Sequence, residues 1–194
     1  MPNNPSVSVP NPAPLLSGEE ELASLGLTFR PEAAADEAFL QQLYFSVRWP
    51  ELEAASHWSD EEKIAFLQFQ FRAQRQHYAT AYACASFLVA LADGIEAGRL
   101  CLYRSARELR VVDIAFLPEF RHRGYATALF RQLFAEADID ARKVSIHVEI
   151  FNPARRLYDR LGFVVTGETG PYYLMERFPA STSSQEEPHV PAHV

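Results

Sequence analysis

The segment Phe116-Leu117-Pro118-Glu119-Phe120-Arg121-His122-Arg123-Gly124-Tyr125-Ala126-Thr127 carries the densest chemical signal in the chain. Leu117-Pro118 closes a strand, and a helix opens near Gly124. A helix start presents unpaired backbone N–H groups and the positive end of a dipole, which together suit a pyrophosphate. Gly124 allows backbone angles and a close approach that a side chain would forbid. Ala126 keeps the surface small, and Arg121 and Arg123 add positive charge. The same R-x-x-G-x-A string also suits an ordinary strand-to-helix turn. It is not a P-loop, because the G-x-x-x-x-G-K-[ST] spacing is missing, and its single glycine excludes the dinucleotide fingerprint.

A second segment runs Asn152-Pro153-Ala154-Arg155-Arg156-Leu157-Tyr158-Asp159-Arg160-Leu161-Gly162-Phe163. Locally, Asn152 suits a helix N-cap, Pro153 the first helical position and Gly162 the C-terminal stop. Leu157 and Leu161 read as core. Just before it, Val144, Ile146, Val148 and Ile150 alternate with Ser145, His147 and Glu149, so the two sets occupy opposite faces of a strand. His147 titrates near neutrality and is either a proton acceptor or a hydrogen-bonded strand histidine. Asp113, isolated in an apolar strand, is a second candidate base or one half of a structural ion pair.

The elements that must position these residues follow from periodicity. Leu25 to Arg30 reads as a strand. A helix runs from Asp36 to Arg48 with Phe39 or Leu40, Leu43 and Val47 inward. A second starts at Ser59, where Glu62 completes a capping box, and buries Ile64, Leu67, Phe71 and Tyr78. Ala85–Leu91 and Arg99–Tyr103 form a hairpin around Asp93-Gly94. Leu109–Leu117 is a near-continuous apolar strand, covered on both faces. A helix from Gly124 to about Ala137 turns Ala126, Leu129, Phe130, Leu133 and Phe134 inward. Then come a strand over Lys143–Phe151, a helix over Asn152–Leu161, and strands over Phe163–Thr166 and Tyr172–Phe178. Strand, helix, strand implies a parallel pair with a right-handed crossover. The expected fold is a mixed α/β sheet, mostly antiparallel, with helices on both faces.

Composition bounds the rest. Hydrophobic residues make up 48% and charged residues 22% of 194 positions, the profile of one globular domain. Residues 1–18 and 179–194 read as disordered tails around a domain over 19–178. A net charge of −7 argues against general nucleic-acid binding. Cys84 and Cys101 have neither disulfide nor metal spacing, so no metal is expected. No apolar window is long enough to span a membrane and residues 1–17 lack a signal-peptide pattern, which leaves a cytoplasmic location by elimination.

Together the two segments resemble the GNAT superfamily of acetyl-coenzyme A-dependent N-acetyltransferases. Arg121, Gly124 and Ala126 match its [QR]-x-x-G-x-[GA] motif. Asn152, Leu157-Tyr158 and Gly162-Phe163 match the later Asn and L-Y-x-x-x-G-F, although the Asn-to-Tyr spacing is one residue shorter than in many relatives. The resemblance implies acetyl transfer from acetyl-CoA to an amine of a small molecule or a protein, or an inactive acyl-CoA sensor of the same fold. It implies a central pair of parallel strands that splay apart around the thioester. Backbone groups of Ile114, Ala115 and Phe116 would meet the pantetheine arm. The loop Arg121, His122, Arg123, Gly124, Tyr125, Ala126 and Thr127 would hold the pyrophosphate, and Asn152 would bond the pantetheine. Tyr158 would be the general acid. The family's glutamate bases fall here on Arg110 and His147, which makes His147 the candidate base. The acceptor site would lie around the first two helices, where Tyr44, Trp49, Glu53, His57 and Trp58 are either an amine cradle or core residues with solvent-facing neighbours. The resemblance leaves room for a homodimer.

Overall fold

A computed structural model of the chain describes residues 20–53 and 57–180. Apart from Pro179 and Ala180, the two segments expected to be tails lie outside the described residues. A short helix α1 (Glu20–Ser24) leads into β1 (Leu27–Pro31), followed by α2 (Glu37–Glu53) and α3 (Asp60–Ala81). The hairpin β2 (Ser86–Ala92) and β3 (Ile95–Arg104) comes next, then β4 (Glu108–Phe116) and α4 (Tyr125–Ile139). The chain continues through β5 (Lys143–Glu149), α5 (Arg155–Arg160), β6 (Val164–Thr169) and β7 (Tyr172–Arg177). All seven strands join in one sheet of order β1-β2-β3-β4-β5-β7-β6. Every neighbouring pair is antiparallel except β4 and β5, as expected for a mixed, mostly antiparallel sheet.

Local chemistry accounts for most element ends. Ser59 accepts from the Glu62 backbone while the Glu62 carboxylate accepts from the Ser59 N–H, the reciprocal cap read from the sequence. Asp93 and Gly94 both have positive φ, 51° and 80°, the geometry that matches the twist of a two-residue hairpin. Two helices depart from expectation. α2 continues past Arg48 and through Pro50 to Glu53, tolerating the lost backbone donor. α5 begins only at Arg155, because Asn152 and Pro153 form a separate turn before it.

Two apolar layers sandwich the sheet. On one face α1, α4 and α5 bury Leu129, Phe130, Leu133 and Tyr158 against Leu100, Val111, Val144, Ile146 and Met175. On the other, α2 and α3 meet through Leu40, Tyr44, Leu67 and Phe71. Val47 and Ile64, expected in that stripe, remain 37% and 39% exposed and join neither cluster. Cys101 is buried and Cys84 exposed, and both are free. No described helix is long and apolar enough to cross a membrane.

Candidate active site

Among the described residues, the sheet comes apart at its parallel pair. β4 and β5 are in register from Glu108↔Lys143 to Val111↔Ile146 and no further. Beyond that point β4 stays paired with β3 as far as Gly98↔Phe116, and β5 stays paired with β7 as far as Glu149↔Tyr172. The cause is a bulge. Cys101 faces Asp113 while Leu102 faces Val111, so Val112 is an extra residue in β4 where pairing with β5 stops. A bulge bends its strand and increases its twist, which turns β4 away from β5.

The gap is lined by backbone. Leu117 N donates to Ala97 O at 2.9 Å, and alternation back along this antiparallel ladder directs the Ala115 groups toward β3. Consistently, a Cβ placed on Gly98 would sit 2.3 Å from Ala115 O. Ile114 and Phe116 therefore present their N–H and C=O groups to the gap, and Ala115 does not. The Phe116 carbonyl accepts from Arg121 Nε at 2.8 Å, so Arg121 folds back onto the strand end rather than only lining the loop.

After one 3₁₀ turn over Pro118–Phe120, His122 and Gly124 take left-handed backbone, φ 60° and 85°. Gly124 O accepts the first helical bond, from Ala128 N. The N–H groups of Tyr125, Ala126 and Thr127 thus start α4 without intrahelical partners. Tyr125 packs its ring on Phe116, 5.6 Å between centroids, leaving its backbone for the loop. Residues 121–124 are exposed, and the Arg123 guanidinium lies over the Phe120 ring. Main-chain donors at a helix start, beside two arginines, have the chemistry that suits an anion.

Tyr158 lies on α5, in the apolar cluster beneath α4. Its ring is 6% exposed and wedged edge-on against Phe130 and Phe163. Burial pushes its phenol above the ordinary value, and the Asp113 charge pushes the same way, so the hydroxyl stays protonated at neutral pH. Asp113 forms an ion pair with Arg99, whose Nη2 also donates to Gln74 Oε1 at 2.5 Å and whose guanidinium lies over Tyr78. His147 is exposed on the α2–α3 face of β5. Partial desolvation and then Arg110 lower its pKa, against Glu108 and Glu176, which favours the neutral imidazole. Arg110 itself pairs with Glu108 at 3.1 Å.

Asn152 does not cap α5. Its Oδ1 accepts from Ala154 N at 2.9 Å in a local turn, a use its side chain favours in turns. Tyr44 is core, 9% exposed, its ring tilted against Phe71 and its hydroxyl donating to Gln70. Trp49 packs on the α2–α3 cluster beneath Lys63, and Trp58 meets both His57 and Phe66 edge-on. Arg48 escaped the sequence reading. It donates to Glu51 and, at 2.7 Å, to Glu149, and so ties α2 to the end of β5. Arg99 escaped as well, although a lone arginine inside the apolar run Ile95–Tyr103 was its signal. Among the described residues no group of three or more His, Cys, Asp or Glu side chains could hold a metal ion.

A mixed sheet parted at its parallel pair, with a crossover helix joining β4 to β5, is a fold found among solved acetyltransferases. Residues 83–165 match the family model of the acetyltransferase (GNAT) domain. The fold is shared with the PaiA N-acetyltransferase of Thermoplasma acidophilum, solved in complex with coenzyme A. That pair is 19% identical with a TM-score of 0.58, covering 78% of this chain and 98% of the other. It is shared too with an acetyltransferase of Thermus thermophilus, 18% identical with a TM-score of 0.55, covering 79% and 97%. No curated protein matches the sequence.

Proposed function

We propose that the protein is an N-acetyltransferase that moves the acetyl group of acetyl-CoA to a primary amine of a small molecule, peptide or protein. The observation carrying this reading is the setting of Tyr158: a buried, protonated phenol under the charge of Asp113, which sits on the part of β4 no longer paired with β5. The start of α4, from Gly124 to Thr127, binds the pyrophosphate with backbone N–H groups, and Arg121, His122 and Arg123 flank it. Ile114 and Phe116 bind the pantetheine arm along β4. Asn152 reaches the same arm through its amide N–H₂, because its Oδ1 is committed to the turn.

His147 accepts the proton of the attacking amine, since its lowered pKa keeps it neutral at working pH. A gap-facing N–H of β4 steadies the oxyanion that develops as the C–N bond forms. Tyr158 gives its proton to the sulfur as the C–S bond breaks, so coenzyme A leaves as the thiol. Asp113 is less suited to accept a proton, because Arg99 holds its carboxylate in an ion pair. The test measures coenzyme A thiol release with acetyl-CoA and a panel of primary amines, beside a thermal melt with acetyl-CoA. A raised melting temperature and amine-dependent thiol release are expected. A raised temperature with no release for any amine would leave a coenzyme A-binding module, and no shift at all would remove the reading.

A further inference from the structure

A second cavity opens on the α3 face of the sheet, away from the loop at the start of α4. It holds about 240 Å³ and is lined by Glu32, Arg75, Tyr78, Ala79, Phe87 and Arg99. That volume lies below the ~300–1,000 Å³ of sites for drug-sized ligands and suits a molecule of a few heavy atoms. Its walls divide by chemistry. Phe87 and Ala79 are apolar, whereas two guanidinium groups oppose a single carboxylate.

Neither arginine is used up by its partners. Arg99 is 8% exposed, and both of its hydrogen bonds, to Gln74 and Asp113, leave from Nη2. Its Nη1 and Nε donate to no described residue, yet neither is among the buried atoms sealed from solvent. A guanidinium carries five N–H donors in a planar fork, so a buried arginine lining a cavity offers the remainder to whatever enters. Arg75 donates Nη1 to Glu32 Oε1 at 2.6 Å and likewise keeps other donors. A carboxylate group accepts from such forks with matched geometry, and a buried setting strengthens the bond.

We propose that this cavity binds a small free carboxylate, at a site distinct from the gap between β4 and β5. The carboxylate accepts from Arg99 and Arg75, and a short alkyl chain rests on Phe87. The inference does not depend on acetyl transfer and stands or falls by binding alone.

The experiment is an NMR titration of the arginine Nε–H signals with propionate, using propionamide and chloride at equal concentration as controls. Saturable movement of the Arg75 and Arg99 signals with propionate alone is expected. Arg75→Gln should weaken binding about 10- to 100-fold, the range for one charge-assisted hydrogen bond. Glu32→Gln, which removes the competing carboxylate, should tighten it, and so gives a readout of opposite sign if the arginine variant fails to fold. Non-saturable movement, an equal response to propionamide or chloride, or unchanged affinity in both variants would overturn the proposal.

Discussion

Gly98→Ala is the substitution that tests the parted sheet most directly. Gly98 sits in β3 opposite Phe116, and a Cβ there would lie 2.3 Å from Ala115 O and 2.7 Å from Phe116 Cδ1. The first contact is about 1 Å shorter than ordinary packing allows. One neighbour is backbone in a paired strand, so β4 must move rather than a side chain rotate. Overpacking of this kind costs about 1–3 kcal/mol. For a domain of this size, each kcal/mol lowers the melting temperature by about 2–4 °C. The strand that moves carries Ile114 and Phe116, which the proposed mechanism uses to seat the donor. A misplacement near 1 Å can cost about 100-fold in rate. We expect a melting temperature roughly 5 °C lower and a 10- to 100-fold loss of kcat/KM for acetyl-CoA, on the scale of those principles. Gly167→Ala is the control, because its Cβ would meet Leu174 at an ordinary 3.6 Å. The reasoning fails if Gly98→Ala melts and turns over like the parent, or if Gly167→Ala is equally damaged.

Three other outcomes follow from the same structure. Tyr158→Phe should keep acetyl-CoA binding, seen by thermal shift, and lose about 100-fold or more in kcat, because general acid–base catalysis contributes on that order; unchanged turnover would remove the hydroxyl from the mechanism. The acidic limb of kcat/KM should have a midpoint below the ordinary histidine value, since the lowered pKa keeps His147 neutral to more acidic pH, and His147→Ala should abolish that limb; an identical profile would exclude His147 as the base. Asp36 accepts from both Arg30 Nη atoms at 2.7 Å, and this pair lowers its pKa from 3.8 to about 2. With Arg30 35% exposed, solvent screening leaves that shift as a contribution of about 1–2 kcal/mol. That stability is complete above the unfolded pKa and is lost as pH falls from about 5 toward 2. Urea melts should therefore separate the parent from Asp36→Asn at pH 7 and bring them together near pH 2; a gap that persists there would contradict the linkage.

Much of this molecule was legible before any coordinates. The capping box at Ser59, the turn at Asp93-Gly94 and the helix start at Gly124 are local devices, satisfied by residues a few positions apart. The strand periods and the order of elements followed for the same reason, and two short motifs pointed to the family. What stayed hidden depends on residues far apart in the chain. No pattern in β4 announces that Val112 is a bulge, since a bulge exists only relative to the register of β3. The ladder alternation that turns Ala115 away from the gap also depends on that register. Arg99 with Asp113, and Arg48 with Glu149, meet only because the sheet places their strands and helices together. Local chemistry settles which element a residue builds, but pairing across the sheet settles what its side chain and backbone face.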